Sequence, residues 1–234
     1  MKNQTIRLLK PIVFLLCLVP AAVLYYRFQT DNLGADPVAT ITHFTGDWAM
    51  YMLLGSLAIT PVRRLSSKLG WLVRFRRMIG LFAFFYATLH LATYVFLFSG
   101  FDVAAAMASL RQHDLHALKE QWLAVWPGMV DDAIKRRFIQ VGLIAWTILL
   151  ALAVTSPQWI MRKMGGKRWQ LLHRAVYVAA GLAIIHYWWL VKRGVTTPWR
   201  VTAVLVVVLL ARVAWSWKNK RRSIPSRRVP VVEV

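Results

Sequence analysis

The sequence predicts an all-α fold, an integral-membrane bundle of six helices with both termini on the cytoplasmic side. Three observations carry this. Of the 234 residues, 58% are hydrophobic and only 17% charged, whereas a soluble domain holds roughly 25% charged residues, so the apolar excess calls for lipid as solvent. The apolar residues gather into six stretches that meet or approach the ~20 residues a helix needs to span hydrocarbon at about 1.5 Å per residue. Finally, the formal net charge of +21 comes in short bursts between those stretches. It forms no groove or face that would suit nucleic acid.

The stretches are roughly 11–29, 47–64, 79–99, 137–155, 172–191 and 199–217. The first follows Lys2, Arg7 and Lys10 and starts like a signal peptide, but it is too long for one and ends in the interfacial anchors Tyr25-Tyr26-Arg27. It is expected to be a retained helix. Its Cys17, the single cysteine, excludes an intramolecular disulfide or a cysteine-only cluster and reads as a packing residue, since Leu15-Leu16 lack the small residue of a lipoprotein cleavage site. Thr60-Pro61 is expected to end the second helix, because proline cannot continue the ladder without a compensating partner.

Orientation follows from the loops. Arg63, Arg64, Lys68, Arg74, Arg76 and Arg77 crowd the second connection, Arg162, Lys163, Lys167 and Arg168 the fourth, and Lys218, Lys220, Arg221, Arg222, Arg227 and Arg228 the tail. With the basic N-terminus, these regions belong on the cytoplasmic side. The opposite connections hold Asp31, Asp36, Asp47, Asp102, Asp114, Glu120, Asp131 and Asp132. The longest of them, roughly 100–136, predicts an amphipathic surface helix from Met107 to Trp122 and then a turn at Trp126-Pro127-Gly128. The domain is expected to cover 1–217, with 218–234 a disordered basic tail. No internal repeat is evident.

An ionisable side chain inside a bilayer costs at least a few kcal/mol, so an intramembrane histidine needs a function or a partner. His90 lies in the third stretch and His186 in the fifth, about 12 and about 15 residues from the cytoplasmic ends, which matches their depths within ~5 Å. Two imidazoles at one depth on separate helices suit the two axial positions of one haem iron. The structural alternative is a pair of histidines satisfied by interhelical hydrogen bonds. Aromatic residues flank both: Phe84, Phe85, Tyr86 and Tyr94 near His90, and Tyr187, Trp188 and Trp189 beside His186.

His173 precedes His186 by 13 residues, ~20 Å along a helix, so the two cannot share an iron. It either serves a second haem near the cytoplasmic surface or is an interfacial residue. The position 13 residues before His90 holds Arg77, suited instead to a haem propionate or a flavin phosphate. His43, in the first outer loop, is either a solvated residue or a contact for a propionate or a quinone. His113 and His116 have metal-compatible spacing but no third ligand. Phosphate loops, nucleophile elbows and metalloprotease motifs are absent, and the lack of acids within the spans weighs against a proton-coupled transporter.

Leu33-Gly34-Ala35-Asp36-Pro37, His43-Phe44-Thr45-Gly46, Ile59-Thr60-Pro61, Arg76-Arg77-Met78-Ile79-Gly80-Leu81 and Tyr86-Ala87-Thr88-Leu89-His90 form one motif series. It continues in Thr155-Ser156, Trp169-Gln170-Leu171-Leu172-His173 with Tyr177, and His186-Tyr187-x-Trp189. From about residue 33 to 190 the series resembles the YedZ/MsrQ membrane haem subunits, within the ferric-reductase-like transmembrane domains. The resemblance implies haem b, one or two per chain, with His90, His173 and His186 as the haem-associated histidines, and flavin mononucleotide (FMN) as a further cofactor. It also implies a multi-pass protein of the bacterial inner membrane, an electron-transfer subunit and not the catalytic one. Electrons would come from the quinol pool or a cytoplasmic flavin reductase. They would leave to a periplasmic molybdopterin enzyme that reduces methionine sulfoxide in oxidised proteins. The competing expectations are a stand-alone ferric or quinone reductase, and a non-redox transporter or scaffold with structural histidines.

Overall fold

The computed structural model describes residues 3–190 and 196–222, the first and the last four by backbone alone. Among the described residues the chain is helical, without strands. The ten α-helices are α1 (Asn3–Gln29), α2 (Pro37–Leu65), α3 (Arg76–Thr93), α4 (Val103–Arg111), α5 (Leu115–Lys135), α6 (Arg137–Val154), α7 (Gln158–Met164), α8 (Gly166–Leu172), α9 (Val176–Leu190) and α10 (Thr197–Arg222). Among the described residues four segments are long and apolar enough to cross a membrane: Gln4–Gln29, Arg76–Phe98, Arg137–Val154 and Thr197–Lys218. The other two expected spans coincide with α2, whose apolar run is diluted by Asp47, Gly55, Ser56 and Thr60, and with the 15-residue α9.

Two antiparallel hairpins form the centre. In the first, Thr42 of α2 meets Thr93 of α3 through their hydroxyls at 3.1 Å, while Ser56 faces Gly80 at the other end. A 3-10 helix, Ser67–Arg74, joins the two helices. In the second, α6 packs along α9, with Phe138 beside His186 at one end and the Thr155 carbonyl accepting Trp169 Nε1 at 2.8 Å near the other. The hairpins meet where Trp146 Nε1 donates to Thr88 Oγ1 at 3.1 Å and where Tyr187 donates to Asp47 at 2.9 Å. Fully buried Ala83, Ala179 and Ala180 lie in the shared core, as expected where small residues let membrane helices approach.

α1 covers the α3 side. The Tyr86 hydroxyl, completely buried, donates to the Cys17 carbonyl at 2.7 Å and accepts from the Ala21 amide at 3.2 Å. One side chain of α3 thus enters the backbone ladder of α1 beside Pro20. Cys17 is buried in this contact, as its packing role predicts.

The structure departs from the sequence expectation at several boundaries. α2 starts ten residues early because Pro37 occupies its first turn and the Asp36 carboxylate caps the Ala39 amide at 2.9 Å. His43 is therefore helical and not in a loop, and Asp47 is an acid inside the bundle. α2 also runs past Pro61 to Leu65. Proline removes the amide that would serve the carbonyl four residues back. That carbonyl, on Leu57, accepts from the Arg212 guanidinium of α10, which also donates to the Tyr177 hydroxyl. The compensating partner comes from another helix.

The turn expected at Trp126-Pro127-Gly128 lies inside α5, where the carbonyl freed by Pro127 belongs to Leu123, half exposed. The single surface helix is instead a hairpin of α4 and α5, broken at Gln112–Asp114 with His113 at φ 56°. α10 continues helically to Arg222, so the start of the expected disordered tail is helix. Residues 223–234 lie outside the described residues.

A paired-histidine site between two helix hairpins

α3 carries His90 and α9 carries His186, and the packing of the two hairpins turns them toward each other. Their ring centroids are 6.0 Å apart and their planes cross at 85°. Each ring is fixed by its own hairpin partner. His90 Nδ1 lies 3.0 Å from the Thr42 carbonyl of α2, and His186 Nδ1 lies 2.8 Å from the Phe138 carbonyl of α6. A carbonyl only accepts, so Nδ1 carries a proton in both rings, which in the neutral imidazole leaves Nε2 with its lone pair. This is the arrangement by which proteins orient an imidazole for a metal.

The two seats repeat each other. In both, the histidine stands 48 residues after the carbonyl that holds it, and a glycine, Gly46 or Gly142, lies one turn after that carbonyl. No repeat is visible in the sequences around them. Thr42, Phe138 and the two glycines escape a search for ionisable residues, since backbone groups and missing side chains make the contacts.

The remaining candidates fall elsewhere. His173 occupies a 3-10 turn, His173–Ala175, between α8 and α9. Its ring stacks on Trp169 at 3.8 Å and its Nδ1 lies 3.1 Å from the Trp169 carbonyl. Its Nε2 is buried without a hydrogen bond, although the Leu152 carbonyl lies near the ring. Arg77 lies in the first turn of α3, far along the helix from His90, and donates to the Ser156 carbonyl at 3.0 Å. His43 is exposed, next to Thr42 in sequence but outside the ring pair. His113 and His116 are not gathered into a metal site: the first sits in a left-handed turn, and the second faces Glu120 at 4.0 Å on an exposed helix. Among the described residues no group of three or more His, Cys, Asp or Glu could hold a metal ion.

The flanking aromatic residues do not enclose the pair. Phe84 packs on Trp146, Tyr86 on α1, Trp188 on Trp199 and Thr202, and Tyr94 donates to Asp132. The aromatic ring beside the histidines is Phe138, 6.4 Å from His186.

Residues 45–184, which include His90 and most of both hairpins and end two residues before His186, match the family model described as "Ferric reductase like transmembrane component". A protein-methionine-sulfoxide reductase heme-binding subunit MsrQ from Herminiimonas arsenicoxydans is 42% identical over 218 residues, covering 92% of this chain and 89% of that protein. The chain belongs to the MsrQ family. Proteins of the same description from Ralstonia nicotianae and Bordetella parapertussis are 38% and 40% identical, covering 94% and 91% of this chain and 91% and 92% of their own lengths. The MsrQ match extends beyond the family-model region into α1 and α10, so the helices packed around the hairpins belong to the shared sequence.

Proposed function

We propose that this chain is a membrane haem b electron-transfer subunit whose iron is held by His90 and His186. The observation that carries the reading is the 6.0 Å between the two rings. Metal–imidazole bonds are about 2 Å, and the ring centre lies about 1 Å beyond the nitrogen, so two axial imidazoles on one iron stand about 6 Å apart. Both rings also present Nε2 with its lone pair, held by Nδ1–H bonds to carbonyls that make the ligand more basic. Haem would supply one-electron transfer. The protein's residues fix both imidazoles before loading, exclude water with the surrounding helices, and keep the site inside the apolar core.

The proposed topology is six spans with both ends cytoplasmic. α2 and α9 complete the four long apolar helices, and the basic connections fall together on one side. In that frame the proposed route runs from the quinol pool or a cytoplasmic flavin reductase to a periplasmic molybdopterin methionine-sulfoxide reductase in the bacterial inner membrane. The relatives' printed description, a heme-binding subunit of a protein-methionine-sulfoxide reductase, supports this assignment. FMN and quinone remain proposed cofactors, testable by extraction and chromatography. A second haem at His173 would take its other axial ligand from a residue other than Arg77, which is already bonded to Ser156.

The test is a pyridine haemochrome assay for haem type and content, read beside the native absorption spectrum for ligation, on the purified chain and its variants. Haem of b type should accompany the unaltered protein, His90→Ala and His186→Ala should each lose the low-spin spectrum, and His173→Ala should keep it. A folded, colourless protein made with ample haem, or unchanged spectra in both ligand variants, would falsify the reading. Electron delivery to purified methionine-sulfoxide reductase separates the proposed subunit from a stand-alone reductase.

A further inference from the structure

We infer that Gly46 and Gly142 are positioning residues that make the two imidazole seats by leaving out a side chain. Each is an ordinary right-handed helical glycine, so backbone freedom is not the reason for it. Space is. A Cβ built at Gly46 would stand 3.1 Å from both Nδ1 and Cε1 of His90, and one at Gly142 would stand 2.8 Å from Nδ1 and 2.9 Å from Cε1 of His186. Real Cβ atoms essentially never approach other atoms within 3.0 Å.

The cause lies in helix geometry. Every Cα–Cβ bond tilts toward the helix N-terminus, so the Cβ of residue 46 or 142 would lean toward the carbonyl one turn earlier. Those carbonyls are the ones that accept from His90 and His186. A ring lying edge-on to the carbonyl therefore crosses the space a Cβ would take. Alanine is otherwise the better helix residue, so at both places helix preference is sacrificed to the ring. The chain's other helical glycines are different: a Cβ at Gly55 meets Ile79 at an ordinary 3.8 Å, and one at Gly181, on the same helix as His186, meets nothing within 4 Å.

The proposal rests on the haem reading, and it predicts unequal effects. Gly142→Ala must displace the His186 ring, because the conflict is with atoms fixed by the carbonyl bond. Gly46→Ala needs a shift of only a few tenths of an ångström and should retain haem with altered ligation.

The experiment compares unaltered protein, Gly46→Ala, Gly142→Ala, Gly55→Ala and Gly181→Ala by haem content, by the high-spin signal in electron paramagnetic resonance, and by carbon monoxide binding after reduction. A six-coordinate iron leaves no open position, whereas loss of one imidazole opens one. Gly142→Ala is expected to lose haem or to become mostly high-spin and carbon monoxide-reactive. Gly46→Ala is expected to shift the low-spin signal with a minor reactive fraction, and the two control glycines to match the unaltered protein. Low-spin, unreactive haem in Gly142→Ala overturns the inference and leaves the haem reading standing, whereas a haem-free unaltered protein overturns both. If Gly142→Ala does not accumulate, adding His186→Ala removes the ring and should restore accumulation. Failure of that double variant also overturns the inference.

Discussion

At the residue scale, the site depends on how few groups decide each histidine's state. One carbonyl sets the tautomer of each ring, and neither carbonyl belongs to a residue type that sequence inspection would select. The neighbouring Asp47–Tyr187 bond, 2.9 Å long, ties α2 to α9 one residue from His186. It is also an acid inside the bundle that the sequence, read with α2 starting at Asp47, assigns to the outer boundary. Removing its donor leaves a half-buried carboxylate short of a partner, which typically costs about 1–3 kcal/mol. Tyr187→Phe should therefore lower the thermal midpoint in detergent and loosen His186, measured as a broadened low-spin resonance with haem content nearly unchanged.

At the element scale, two helices are completed by side chains from others. Tyr86 of α3 bonds the Cys17 carbonyl and Ala21 amide of α1, and Arg212 of α10 bonds the Leu57 carbonyl that Pro61 leaves without an amide. These bonds can be tested as pairs. Arg212→Met should destabilise the protein by about 1–3 kcal/mol, and adding Pro61→Ala, which restores the missing amide, should recover part of that loss. Denaturation of the single and double variants measures the coupling; simple additivity would mean that the guanidinium does not serve that carbonyl. The same contacts explain what could be read from the sequence. The helical character followed from apolar stretch lengths, and the His90–His186 pair from matched depth, both local properties. Pro61 reads as an end because its partner lies 151 positions further along the chain, and the sequence does not mark the two glycines because their role is set by a ring on another helix. The α2 start is marked in the sequence by Asp36-Pro37, a capping signal that apolar stretch length does not register.

At the scale of the whole molecule, two helix hairpins of unlike sequence present the same seat from opposite sides, and the outer helices close around them. The proposed topology makes a direct prediction. After Cys17→Ser removes the lone thiol, a cysteine introduced at Ser67 should be protected from a membrane-impermeant maleimide in intact cells, and one introduced at His113 should be labelled. Labelling of both, or of neither once the cells are opened, would contradict the proposed sidedness.

The Pro61–Arg212 contact also bears on the order in which the protein is made. α2 leaves the ribosome well before α10, so the Leu57 carbonyl must wait for its donor while the helices between them are made. In the proposed six-span topology, until α10 arrives α2 has a carbonyl without a donor in a solvent that offers no hydrogen bonds. Arg212 then acts as a latch that closes only once α10 has been made. Chains truncated before residue 212 should be cleared by membrane proteases faster than full-length protein, and Pro61→Ala should prolong their survival in a pulse-chase experiment.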